Sequence, residues 1–252
     1  MRVAFFATCL VDQLFPQVGV SSVRLLRRHG CAVEPGGEFV LEFPRAQTCC
    51  GQPALNSGFP DGARKVARNQ IRAFAGADYV VSPSGSCAGM VRHYYPELFS
   101  GDPLQADAKA LAERTYELTQ FLVNVLGVTD AHAACADRVT YHPGCHGSRL
   151  LGVTHEPLTL LQSVKGIDLV PLPCAQDCCG FGGTFAVKLP DISGAMVAEK
   201  VDHIGETGVK YVVSGDMGCL MNIGGHMKKR GVDVEPLHIA EFLDRFADNK
   251  AA

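Results

Sequence analysis

Two short words in the chain carry most of its chemistry: Cys49-Cys50-Gly51 and Cys178-Cys179-Gly180. Adjacent side chains on extended backbone point to opposite faces. For both thiols of a pair to converge, the chain must turn sharply, and Gly180, Gly182 and Gly183 permit such a turn. Each word has a lone cysteine well before it and another well after it. Cys9, Cys49, Cys50 and Cys87 form one set; Cys145, Cys178, Cys179 and Cys219 form the other. Matching members lie 129 to 136 residues apart. The chain therefore reads as a duplication holding two four-thiol constellations.

Thiolates are the usual ligands of iron–sulfur clusters, four being the commonest number. They also suit zinc. A structural zinc site usually shows two close cysteine pairs. Here the intervals are long, with one adjacent pair per set, so each set must be gathered from three loops of a folded unit. That spacing favours iron–sulfur over zinc. Buried, inert thiols are the ordinary reading of any one cysteine, but eight in a repeated pattern argue against it. Disulfides are disfavoured by the strain of bonding adjacent cysteines.

Other residues near the two sets have weaker signals. Cys174 precedes Cys178 by four residues and is a candidate fifth thiol. Ser84 and Asp216 sit three residues before Cys87 and Cys219, as oxygen ligands or as helix caps. His142 and His146 flank Cys145. His146 and Arg149 are the weak candidates for catalysis. A histidine beside a cluster can move protons or ligate a metal, and a guanidinium fork can grip a carboxylate. A hydrogen-bonded loop histidine and a solvated arginine are the blander readings. Cys31 and Cys135 fall outside the pattern and read as core, as does the Met217–Met221 segment.

The elements that must position these groups alternate between strand and helix. Val3–Ala7, Cys31–Glu34, Phe39–Phe43 and Tyr79–Ser82 read as strands. Val18–Arg28 reads as a helix with Val20, Val23 and Leu26 on its apolar side, and Asp61 to Phe74 as a second helix capped by Asp61. Residues 101–109 read as a loop, and Leu111–Leu126 as a long helix. Thr129–Asp137 is the expected boundary between halves. The plan then repeats, with strands at Val139–His142, Asp168–Leu172, Tyr211–Ser214 and Val232–Val234. Helices are expected at Glu156–Val164, Asp191–Glu206, Leu220–Arg230 and Leu237–Phe246, with a frayed tail from Asp248. The pattern implies an α/β fold of two Rossmann-like units with parallel sheets, 1–130 and 131–252, related by a pseudo-two-fold axis. Ligands in such folds sit beyond the carboxyl ends of the strands. Cys9, Cys87, Cys145 and Cys219 fall there, so both thiol sets are expected to open toward one cleft between the halves.

Composition narrows the class. The 252 residues are 19% charged and 47% hydrophobic, with a formal net charge of −3. Nothing here recommends a nucleic-acid partner. The apolar run from Val3 is short, ends at Asp12 and lacks a cleavage site, so it reads as a buried strand rather than a leader. No apolar run reaches the ~18 residues needed to cross a bilayer. A cytoplasmic protein with reduced thiols and no direct membrane insertion is expected. No phosphate-binding loop or dinucleotide fingerprint is present, so flavin and nicotinamide are not expected.

The paired words resemble the cysteine-rich CCG domains of the heterodisulfide reductases and of the iron–sulfur subunits of glycolate oxidase and anaerobic glycerol-3-phosphate dehydrogenase. Three longer stretches are similar to the lactate utilization protein A family: Pro83-Ser84-Gly85-Ser86-Cys87, Cys178-Cys179-Gly180-Phe181-Gly182-Gly183-Thr184-Phe185, and Asp216 through Gly225. The resemblance covers essentially the whole chain. It implies an electron-transfer component of a system that oxidises L-lactate to pyruvate. The implied partners are a larger ferredoxin-domain iron–sulfur subunit and a third small protein, with lactate bound through the complex. In the heterodisulfide reductase relatives a CCG domain can hold a non-cubane cluster on five cysteines that close in Cys-x2-Cys. This chain has Ser84 and Asp216 where the first cysteine of each closing pair would stand. The resemblance implies an iron–sulfur cluster of the 4Fe-4S type; a conventional cluster, an oxygen ligand and an empty site are the options that the departure leaves. A thiol–disulfide reductase component and a non-redox metal-binding assembly component are the alternative functions.

Overall fold

The structure is a computed structural model that describes residues 1–33 and 36–248. The expected strand at Cys31–Glu34 therefore has its last residue outside the described set, and so do residues 249–252 of the expected frayed tail. Among the described residues, nine strands form two all-parallel sheets. β1 (Arg2–Phe5), β2 (Cys31–Ala32), β3 (Phe39–Glu42), β4 (Tyr79–Ser82) and β5 (Thr115–Glu117) are ordered β2-β3-β1-β4-β5. β6 (Arg138–His142), β7 (Asp168–Leu169), β8 (Tyr211–Ser214) and β9 (Glu235–His238) are ordered β7-β6-β8-β9. The second sheet repeats the first without its β2 edge. The two sheets agree with the sequence expectation of tandem parallel α/β units.

Alternation along the strands builds three apolar layers, because successive side chains face opposite sides of a sheet. Val3 and Phe5 of β1 and Val81 of β4 enter one cluster with Val139 of β6 and Tyr211 and Val213 of β8. That cluster runs through both halves. Ala4 and Val80 face the other way, into a cluster of the first half with Phe6, Cys50 and Cys87. Val212 faces an equivalent cluster with Cys179 and Cys219. Each fully buried phenylalanine or leucine contributes about 1.5–3 kcal/mol. The shared layer is also fastened at its rim. The closing helix Ile239–Arg245 lies on Pro16–Arg28, where Asp244 accepts from Ser21 at 3.1 Å, Arg28 at 3.0 Å and Arg24 at 3.3 Å.

Several elements differ from the sequence expectation. The long helix expected at Leu111–Leu126 is broken by β5. Thr115 and Tyr116 are β-formers, and they pair with Val80 and Val81. A helix at Gln105–Glu113 fills most of the stretch expected to be a loop, and a π-helical turn at Phe121–Val125 follows the strand. The second helix starts at Pro60, whose fixed φ suits a first helical position. Asp61 makes no cap there and instead pairs with Arg64. Val20 is exposed, and Val18, Leu25 and Leu26 form the buried stripe of Pro16–Arg28. The last strand lies at Glu235–His238, not Val232–Val234, because the pairing partner of β8 is set by Leu237 entering the shared core. The segment expected to link the halves is tied down by bridges from Ala133 to Ala247 and from Ala134 to Lys165.

Candidate metal centres at the junction

Each thiol set is assembled by three strand ends. In the first half, Cys9 follows β1, Cys49 and Cys50 follow β3, and Cys87 follows β4. In the second, Cys145 follows β6, Cys178 and Cys179 follow β7, and Cys219 follows β8. The paired cysteines converge because the next residue is a glycine at positive φ: +89° at Gly51 and +79° at Gly180. The turn is packed against the following helix. A Cβ on Gly180 would lie 2.7 Å from the Ser193 carbonyl oxygen, and one on Gly51 3.3 Å from that of Ala63. The last cysteine of each set sits in the first turn of a helix, where partial positive charge favours a thiolate. Ser84 caps one helix and Asp216 the other.

The sulfurs of each set touch in series. Cys9 donates to the Cys49 sulfur at 3.7 Å. Hydrogen bonds from Cys50 and Cys9, with the Gly51 N–H at 3.4 Å, hold Cys49 well below the usual thiol range. Cys178 is lowered in the same way by Cys145, Cys179 and the Gly180 N–H at 3.4 Å. Their donors shift in the opposite direction: Cys9, Cys50, Cys145 and Cys179 are raised, chiefly by the hydrogen bonds they give. Within each set the middle thiol is thus the one most easily ionised, and a metal binding there displaces the protons of its ligands.

Both sets open onto the junction between the halves. Cys9, Cys49, Cys50 and Cys87 line a cavity of about 110 Å³, and Cys145, Cys178, Cys179 and Cys219 one of about 120 Å³. The two cavities share Gln52, Ser86, Phe181 and Gly183 as walls. The cleft expected from strand polarity is therefore present. It is laced across by side chains. Gln52 Nε2 and His146 Nε2 are 3.1 Å apart, and the Ser57 and Thr184 hydroxyls 2.8 Å. Asp216 is the densest crossing. Its Oδ1 accepts from Gly218 N–H at 3.0 Å, and its Oδ2 from Ser86 N–H at 2.9 Å and from the Ser84 hydroxyl at 3.3 Å.

The remaining sequence candidates are dispersed. Cys174 is exposed, at φ +47°, and its backbone carbonyl accepts from Lys200 Nζ at 2.6 Å. Arg149 is exposed and donates to the Gln176 carbonyl at 2.6 Å. Ser84 and Asp216 have their oxygens committed to caps and to each other. Cys31 and Cys135 are buried in the shared apolar layer, as expected for core thiols. His146 lines the second cavity and lies 3.5 Å from the Cys145 sulfur.

Two further groups stand out, the second of them unread in the sequence. His142 has two sequence readings, proton shuttle or metal ligand and hydrogen-bonded loop histidine; it ends β6, is buried, and among the described residues neither ring nitrogen has a partner. Burial pushes its pKa down to about 4, leaving a neutral ring. A donor nitrogen of His142 and the sulfurs of Cys179 and Cys219 all lie within 4.8 Å of one another. Lys200 is the second: a lysine 1% exposed, its pKa lowered by burial, beside the same thiols. Its position on the Val197–Val201–Ile204 face of its helix was the available signal. Four converging thiols per half are a donor set that fits an iron–sulfur cluster.

Two segments of the chain, residues 3–92 and 139–224, match the model of the CCG cysteine-rich domain. Lactate utilization protein A of Oceanobacillus iheyensis is 54% identical over 245 residues, 97% of each chain. The protein of that name from Geobacillus kaustophilus is 53% identical, over 97% of this chain and 99% of its own. Among solved structures, an aspartate racemase homologue from Pyrococcus horikoshii aligns over 97% of this chain and 95% of its own. That match has 14% identity and a TM-score of 0.33, too little to say anything of function. The chain belongs to the lactate utilization protein A family, whose signature here is a repeated CCG cysteine-rich unit.

Proposed function

We propose that this protein is an iron–sulfur electron-transfer component of a system that oxidises L-lactate to pyruvate. The observation that carries the reading is the pair of four-thiol sets facing one junction. Cys9, Cys49, Cys50 and Cys87 would hold one centre, and Cys145, Cys178, Cys179 and Cys219 the other. A cluster bound there supplies one-electron acceptance and donation. The protein's own part is to supply ionised thiols, to keep them close across a shared wall, and to hold the two halves in fixed register through Asp216, Gln52 and the Ser57–Thr184 contact. The names of the relatives support the lactate assignment.

No dinucleotide site or ferredoxin ligand run is visible in the sequence, so electrons must pass to another chain. We assign that role to a ferredoxin-domain iron–sulfur subunit, with a third small protein completing the system in the cytoplasm. Among the described residues, no helix is long and apolar enough to cross a membrane. The test is iron and acid-labile sulfide analysis of anaerobically purified protein, followed by lactate oxidation assays with and without the partners. Both iron and sulfide are expected, with turnover only in the reconstituted system. Stoichiometric zinc without sulfide would replace the cluster reading with a mononuclear metal site.

A further inference from the structure

We propose that His142 supplies a nitrogen ligand to the metal centre of the second half, so that this centre is built from five donors and its counterpart from four. The inference rests on the cluster reading above.

Three observations carry it. First, His142 is buried, and among the described residues both its ring nitrogens are unpartnered. Buried polar groups in folded proteins are nearly always paired, and one that is not calls for an unseen partner. Second, its donor nitrogen lies within the same 4.8 Å group as the sulfurs of Cys179 and Cys219. Third, the matching place in the first half is Phe6, since Cys9 and Cys145 are 136 residues apart, as are Phe6 and His142. Phe6 packs in one apolar cluster with Cys50 and Cys87. The fold therefore fills this position with an apolar ring when it needs packing alone. A partnerless imidazole there serves the metal, not the core.

Competing donors are already engaged. Both carboxylate oxygens of Asp216 accept hydrogen bonds. The ring of His146 faces Gln52 across the cleft. Imidazole is a regular ligand for iron as well as zinc. The two centres would then differ in potential by donor set.

The experiment uses full-length protein carrying Cys49→Ser and Cys50→Ser, so that only the second site loads, labelled with 15N-histidine and reconstituted anaerobically with iron and sulfide. Pulsed EPR of the reduced protein is expected to show a directly bonded nitrogen, lost in His142→Phe and kept in His146→Ala. Phenylalanine is tolerated at the matching position of the other half, so this variant is expected to fold; circular dichroism checks it. The reduction potential should shift in His142→Phe and stay in place in His146→Ala. A nitrogen signal that survives His142→Phe, or a loaded wild-type site without one, overturns the proposal. Failure of any iron to load would instead remove the cluster reading on which it rests.

Discussion

The two thiol sites share a skeleton and differ in nearly everything around it. Around the first set stand Phe6, Gln70, Ser84 and Tyr95, none of them charged. Gln70 is a buried amide whose side chain clamps the backbone of Thr48, with Nε2 to the carbonyl at 2.8 Å and the Thr48 N–H to Oε1 at 3.0 Å. Its counterpart is Lys200, as the helices starting at Pro60 and Pro190 correspond. Where Tyr95 gives its hydroxyl to the Cys50 carbonyl at 2.8 Å, Asn222 gives an amide to that of Cys179 at 2.8 Å. The second site thus keeps the backbone device and adds His142, Lys200 and Asp216. The comparison separates two layers of design. Strand ends and glycine turns fix where the sulfurs sit; the residues behind them fix charge and donor type.

The strongest way to break the comparison is to remove one site and ask whether the other survives. Cys50→Ser and Cys179→Ser should each lower bound iron to about half, because each site gathers its own four thiols. Loss of all iron from either variant would show that the sites assemble as a unit. The backbone turns come next. Gly180→Ala forces a side chain into positive φ and against the Ser193 carbonyl at 2.7 Å. Positive φ costs about 1–2 kcal/mol and overpacking about 1–3 kcal/mol more. Gly51→Ala meets its carbonyl at 3.3 Å and should be milder by about 1–2 kcal/mol. Urea denaturation of both variants measures the difference, and equal midpoints would mean that the two turns are packed alike. A smaller effect is expected from Lys200→Gln, which installs the first half's residue type in the second. Removing a cation beside a thiolate-bound centre should shift its reduction potential to more negative values. An unchanged potential in redox titration would place the Lys200 charge outside the site's field.

The layer set by backbone was legible in the sequence, and the layer behind it was not. Apolar strand runs, the repeated Cys-Cys-Gly words and the polarity rule for parallel sheets together locate all eight cysteines and the shared cleft. Local spacing failed where a long-range partner decided the outcome. Thr115–Glu117 carries helical periodicity on both sides, yet pairing with β4 makes it a strand. His238 looked like the second residue of a helix, but its backbone pairs with Ser214 and its ring caps the helix that follows. His142 was visible as a residue but not as an unpaired one, because burial and the absence of a partner are properties of the packed protein.

The smallest expected effect tests the symmetry away from the metals. Glu117 ends β5 and His238 ends β9, each opposite the serine that closes the neighbouring strand, Ser82 or Ser214. Each caps the next helix with its side chain. Burial moves them in opposite directions: Glu117 up to about 7, with Glu156 nearby adding to the rise, and His238 down to about 4. A carboxyl raised from its ordinary 4.5 binds its proton more tightly in the folded state. Its contribution is full below pH 4.5 and is lost as pH rises through 7. A histidine lowered from 6.5 does the reverse, contributing fully above pH 6.5 and losing that as pH falls toward 4. Between pH 4.5 and 6.5 the two slopes oppose each other. Glu117→Gln removes one of them. The amide oxygen can still accept from the N–H groups of Thr119 and Gln120, which Glu117 Oε2 meets at 2.8 and 3.1 Å. The variant should match wild type near pH 5 and exceed it by pH 8 by up to about 3 kcal/mol. Because the comparison is a difference between two proteins, every other titrating group cancels. Urea midpoints measured at both pH values decide it: a variant no better at pH 8 than at pH 5 would mean that the buried Glu117 carboxyl is already ionised without penalty.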